Sequence, residues 1–223
     1  MSQRSRQIVA GVLFLAAFIV YGTGSVLATG FVAGLASSVD PAMLLANYGS
    51  TLVNGVTLML LNSAIVLGIG VLLFSSLARV NHVVSWVYLL ARGGEAVLLG
   101  LGAFGFLTVL TRHSPHVVAS VQSGNFFAYQ TGMAVLGFGS LFLCALLYRH
   151  RLVPRPLALW GFGGYALLLA GALLELSGVH YGLALAIPGG LFELVFGVWL
   201  ISRGLAPVGA ASATSAGRAS AGN

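Results

Sequence analysis

Acidic side chains are what this sequence has least of: Asp40, Glu95, Glu175 and Glu193 are the only four in 223 residues. Charged residues of both signs make up 6% of the chain, against about 25% in an ordinary soluble domain, which excludes that class. Lysine is absent, so all ten basic residues are arginines. The formal net charge of +6 would suit a nucleic-acid binder, but no basic run interleaved with aromatics is there to track a phosphate backbone. Nucleic acid is therefore not an expected partner. Cys144 is the single cysteine, which rules out an intramolecular disulfide and a cysteine-based metal site. Inside an apolar segment it reads as a small packed residue. No serine–histidine pair, Gly-rich phosphate loop or zinc-protease motif occurs at a usable spacing, and no cofactor is expected.

What fills the sequence instead is apolar. The hydrophobic fraction is 58%, the mean hydropathy is +1.00, and apolar stretches of twenty or more residues recur, the pattern of a polytopic helical membrane protein. The 31 glycines fit membrane helices, which use glycine for close packing. Six spans are expected, at about 7–28, 51–77, 83–111, 125–148, 157–177 and 183–202. The first has a signal-peptide-like start but reads as an uncleaved helix, because its apolar run is long and more spans follow. Tyr21–Ser25 is a small polar break near its far end. Asp40-Pro41 is a helix-start signal, and residues 37–47 read as a short interfacial helix after the first span. Residues 112–124 read as a polar loop, and Pro188 as the site of a kink in the last span. Residues 1–205 make one six-helix domain; from Ala206 to Asn223 the chain is an Ala/Ser/Gly-rich tail, disordered on composition. Six spans put both termini on one side. Arg4, Arg6, Arg79, Arg149, Arg151, Arg155, Arg203 and Arg218 share that side and only Arg112 lies in a loop opposite, so both termini are expected to be cytoplasmic.

The order Arg92-Gly93-Gly94-Glu95-Ala96, Tyr129-Gln130-Thr131-Gly132, Leu147-Tyr148-Arg149, Leu152-Val153-Pro154-Arg155, Trp160-Gly161, Leu191-Phe192-Glu193-Leu194 and Trp199-Leu200 resembles a bacterial membrane family, domain of unknown function 4386. The resemblance runs from about Gln7 to Leu205. It implies an integral protein of the bacterial plasma membrane and carries no catalytic or binding role to any position.

Polar residues inside the spans are the candidates for function, because a charge in the membrane interior is costly without a partner or a purpose. In the third span Ser85, Tyr88, Arg92, Glu95 and Gly102 follow steps of three, four and seven, which keeps them on one helical face turned into the bundle. In the sixth, Ala186, Gly190, Glu193, Gly197 and Gly204 form a matching stripe that permits close helix contact. Glu193 should lie at nearly the depth of Arg92 and Glu95. In the fifth, Glu175 sits toward the outer surface on a face with Gly164, Gly171 and Gly178. Asn62 and Gln130 are the uncharged candidates. One arginine faces three glutamates; a pair with Glu95 or Glu193 neutralises one acid and leaves another able to carry a proton.

The histidines lie at span ends, too far from mid-membrane for a buried haem. His113, His116 and His180 would share the outer side, a weak option for a divalent metal against the plain reading of solvated loop residues. The leading functional expectation is a small-molecule or proton-linked transport or ligand-binding bundle built on Arg92, Glu95 and Glu193, with Asn62 or Gln130 near. Glu175 and Tyr88 are secondary. The alternative is a non-enzymatic accessory or assembly subunit whose glycine-lined faces meet a membrane-protein partner or a second copy. An intramembrane enzyme has least support, since no nucleophile or metal is evident.

Overall fold

The computed structural model describes residues 1–112 and 114–206. They form six helices: α1 (Gln3–Ala36), α2 (Pro41–Leu77), α3 (His82–Gly105), α4 (Pro115–Arg149), α5 (Arg155–Leu176) and α6 (Gly182–Ser202). A 3₁₀ turn, Phe106–Leu110, extends α3, and no strand occurs among the described residues. All six helices are long and apolar enough to cross a membrane. The chain is a multi-pass helical membrane protein. Its Ala/Ser/Gly-rich tail lies, but for Ala206, outside the described residues.

Local sequence starts and stops these helices. The Asp40 carboxylate accepts the Met43 N–H at 3.0 Å, with Pro41 in the first turn where a missing donor costs nothing. Asn81 caps α3 in the same way, accepting the Val84 N–H at 3.0 Å. After α4, Arg151 takes the left-handed conformation (φ 51°), and the Leu152 N–H closes back on the Leu147 carbonyl at 3.1 Å. That turns the chain sharply into α5.

Consecutive helices pack side by side and α6 returns against α1, which closes a six-membered ring. Connections of only four or five residues make neighbours antiparallel. Several contacts in the ring need glycine, among them two that hold α6. A Cβ on Gly11 would lie 2.5 Å from the Gly197 carbonyl oxygen, and one on Gly164 would lie 2.9 Å from the Gly189 Cα. Backbone contact at these points draws α6 close to both α1 and α5. The helix runs unbroken through Pro188, whose carbonyl sits against Gly164.

Helix lengths differ from the sequence expectation in an informative way. α1, α2 and α4 have 34, 37 and 35 residues, whereas α5 and α6 have 22 and 21. Only about 20 residues are needed to cross the hydrocarbon core. The surplus lies at the end away from the arginine-rich turns. Residues 37–47 hold no separate interfacial helix: the helix that Asp40-Pro41 begins meets no further proline and continues into the span. Residues 115–124 are likewise the start of α4 and not loop, because Val118 is buried with Val32, Val56 and Phe106, and Val117 and Val121 pack against the same cluster. Tyr21–Ser25 does not interrupt α1, and Thr29 bonds back to the Ser25 carbonyl at 2.7 Å.

The interior has two apolar clusters. The larger draws on all six helices in the arginine-rich half and includes Phe14, Leu73, Tyr88, Leu143, Tyr165 and Phe192. The smaller comes from α1 to α4 alone in the other half. The polar residues lie between them. On the opposite face of α3, Leu90, Val97, Leu101 and Phe104 are exposed, the surface a bilayer would solvate.

Candidate functional site

The stripe on α3 points inward as its spacing requires: Ser85, Tyr88, Arg92, Glu95 and Gly102 are all buried. Arg92 is 1% exposed. Its stem fits against α2 because residue 70 is glycine, where a Cβ would stand 3.0 Å from that of Arg92. Its three nitrogens have three different partners. Nε donates to the Tyr88 hydroxyl at 3.0 Å, Nη1 to Glu95 Oε2 at 2.9 Å and Nη2 to Glu193 Oε1 at 2.6 Å. The Tyr165 hydroxyl donates to that same Glu193 oxygen at 2.8 Å. The rings of Phe14 and Tyr88 stand 5.2 and 5.5 Å from the guanidinium carbon, within cation–π range. Helices α3, α5 and α6 therefore meet through one cation and two carboxylates, and α1 supplies an aromatic face.

A cavity of about 270 Å³ opens beside this cluster, lined by Phe14, Phe18, Tyr21, Asn62, Arg92, Glu95, Tyr129, Tyr165, Gly190 and Glu193 among others. It lies just below the roughly 300–1,000 Å³ of drug-sized pockets, which suits a small molecule. Asn62 is 3% exposed, lines the cavity, and has no hydrogen-bond partner for its Oδ1 among the described residues. A buried polar atom of that kind is worth about 1–3 kcal/mol to whatever satisfies it.

Tyr21 and Tyr129 stack over the cavity, with ring centroids 5.7 Å apart and planes 17° from parallel. Both also line a cleft of about 400 Å³, at the end away from the arginine-rich turns, with Ser25, Thr29, Gln122 and Asn125. That cleft exists because α5 and α6 stop short, leaving the outer parts of α1 and α4 without the helices that separate them deeper in the bundle. The stacked pair is thus the partition between cleft and cavity.

Gln130 and Glu175 are not brought to Arg92. Both line a smaller adjoining cavity of about 190 Å³, which shares Tyr129, Met133, Leu168 and Ala186 with the larger one. Glu175 secures the α5–α6 connection: Oε1 accepts the Gly182 N–H at 2.8 Å, and Oε2 lies 3.0 Å from His180 Nδ1. His116 is exposed in the first turn of α4, and His113 lies outside the described residues. Among the described residues no group of three His, Cys, Asp or Glu side chains is placed to hold a metal.

Sequence reasoning missed Tyr165, Tyr21, Tyr129 and Phe14 as members of the site. For Tyr165 a signal was there: a lone phenol amid Gly, Ala and Leu in an apolar span needs a partner for its hydroxyl.

No curated protein and no solved structure matches the chain. A family profile, described as Domain of unknown function (DUF4386), matches residues 9–204, from the second turn of α1 through the end of α6. Nearly the whole ring and every residue around Arg92 fall inside that match, and the chain belongs to the family domain of unknown function 4386.

Proposed function

We propose that the protein is a small-ligand or proton-binding membrane bundle of the transporter type, with its site at Arg92, Glu95, Glu193 and Asn62. The observation that carries this reading is the cavity itself. A purely structural ion pair would be sealed, whereas here both carboxylates, the arginine and an unpartnered amide oxygen share the wall of one cavity. Arg92 holds two acids at once, so the cluster carries one negative charge in excess when both are ionised. That excess suits a proton or a small cationic ligand. Access would run from the outer cleft past Tyr21 and Tyr129, with the arginine-rich end and both termini in the cytoplasm of a bacterial cell.

The assembly-subunit alternative draws on glycine-lined faces, and the one on α6 is used within the bundle: Gly197 lies against α1 and Gly190 faces Phe18. That face is not left for a partner.

Introducing Asn62→Cys tests the proposal directly, because the native Cys144 is buried and gives little background. A small water-soluble thiol reagent should modify the new cysteine in intact vesicles, and Glu193→Gln in the same protein should change the rate while the protein still accumulates. A cysteine that stays unmodified until the protein is denatured would mean a dry, sealed salt bridge and would overturn the reading.

A further inference from the structure

Another cavity lies at the arginine-rich end of the ring. It holds about 520 Å³ between the start of α1, the end of α2 and the Gly204–Ala206 strap that follows α6, and it is lined by Gln7, Ser76, Arg79 and Arg203 with Arg4 beside them. The strap is tied down on both sides: the Ala206 N–H donates to the Leu152 carbonyl at 2.9 Å, and the Leu205 N–H to Gln7 Oε1 at 3.3 Å.

The polar groups of this cavity are donors without an anion. Arg4 spends its hydrogen bonds on the last carbonyls of α6, those of Leu200, Ile201 and Ser202 at 2.7, 2.5 and 3.0 Å. Among the described residues Arg79 bonds only the neutral Gln3 Oε1, at 2.5 Å. The Ser76 hydroxyl is buried, its residue 4% exposed, and has no hydrogen-bond partner among the described residues. Gln7 is equally buried and has its oxygen engaged by Leu205, which leaves its amide nitrogen to donate. None of the four acidic side chains balances this end: Glu95 and Glu193 are bound to Arg92, Glu175 closes the α5–α6 connection, and Asp40 caps α2 at the opposite end.

We propose that this cavity binds a phosphate-bearing anion. The exposed Arg79 and Arg203, the Ser76 hydroxyl and the Gln7 amide line one volume, the donor set that a tetrahedral oxyanion satisfies, and arginine pairs with phosphate through parallel N–H bonds. The volume falls within the range of small-ligand pockets, roughly 300–1,000 Å³. The anion would clamp the strap onto α1 and α2. The same chemistry is offered by the headgroup of an anionic lipid and by a free phosphate.

The test uses the purified full chain in a non-ionic detergent at fixed ionic strength. One arm titrates a short-chain phosphatidylglycerol against the matching phosphatidylcholine; the other titrates inorganic phosphate. Binding is read as a rise in melting temperature and as a change in the fluorescence of Trp199, whose indole N–H bonds the Gly204 carbonyl at 3.0 Å. Phosphatidylglycerol but not phosphatidylcholine should bind if the source is a headgroup, and inorganic phosphate should suffice if it is free. With Arg79→Gln and Arg203→Gln combined, affinity should fall roughly thirtyfold. Ser76→Ala, which removes only a hydroxyl and keeps the fold testable, should lower it about tenfold. Arg112→Gln, at the opposite end, should change nothing. Failure of both probes to bind, or equal weakening by Arg112→Gln and the double variant, would overturn the proposal.

Discussion

Replacing Glu193 by Gln separates a surplus charge from an ordinary salt bridge. The amide keeps an oxygen for Tyr165 and Arg92 to donate to, so the contacts at 2.8 and 2.6 Å can survive while the charge goes. Two unit charges about 4 Å apart attract by about 4 kcal/mol at an effective dielectric near 20, and that attraction to Arg92 is lost. Repulsion from Glu95, held on the other guanidinium nitrogen at about twice the separation, is worth about 2 kcal/mol and is relieved. Desolvation of the carboxylate is relieved as well, and because Glu193 is only part-buried this is about 2 kcal/mol and not the several of a fully buried ion. The sum falls within about 1 kcal/mol of zero, or within about 4 °C of the wild-type melting temperature for a chain of this size. Arg92→Gln is different in kind. It removes both attractions and leaves a buried and a part-buried acid facing each other, so about 3–5 kcal/mol and roughly 6–20 °C should be lost. Size-exclusion profiles of heated, detergent-solubilised protein read both variants. Glu193→Gln falling as far as Arg92→Gln would refute the charge count.

Tyr165→Phe deletes one hydrogen bond to a carboxylate and should cost about 1.5–3 kcal/mol, seen in the same melts. Gly11→Val pushes a side chain into the Gly197 carbonyl and should prevent α1–α6 closure, measured as loss of monodisperse protein from the membrane. Gly93→Ala, whose new methyl meets nothing within 4 Å, should be neutral or stabilising by up to about 1 kcal/mol. Tyr129→Ala removes half of the partition, so thiol modification of Asn62→Cys should accelerate from the outer side; an unchanged rate would mean access by another route.

The inward face of α3 was legible because a 3.6-residue period is easily read when polar side chains are rare, and Arg92, Glu95 and Tyr88 share one face of that helix. Depth made Glu193 one of two acids that Arg92 could reach, Glu95 being the other, and the guanidinium contacts both. The site's far wall was not legible in the same way. Gln130 attracts attention as an amide in an apolar run, yet adjacent helical residues point about 100° apart, and it is Tyr129 that turns to the cavity. The outer extension of α4 was hidden for a different reason. Beyond the bilayer a helix carries polar residues at no cost, so Ser120, Gln122, Ser123 and Asn125 have the composition of a loop. Only Val117, Val118 and Val121, meeting the outer ends of α1, α2 and α3, mark it as packed helix.

The two short helices have a mechanical consequence. At 1.5 Å per residue, 21 or 22 residues measure about 32–33 Å, close to the roughly 30 Å of a hydrocarbon core. The longer helices can slide or lean relative to the lipid without uncovering apolar surface, whereas α5 and α6 have no slack. They act as the depth gauge of the molecule. A thicker bilayer must therefore be met by thinning around these two helices or by pulling on them, and α6 carries Glu193. Melting temperatures in lipids of increasing chain length should peak where the core matches α5 and α6, and the peak should flatten in Glu193→Gln.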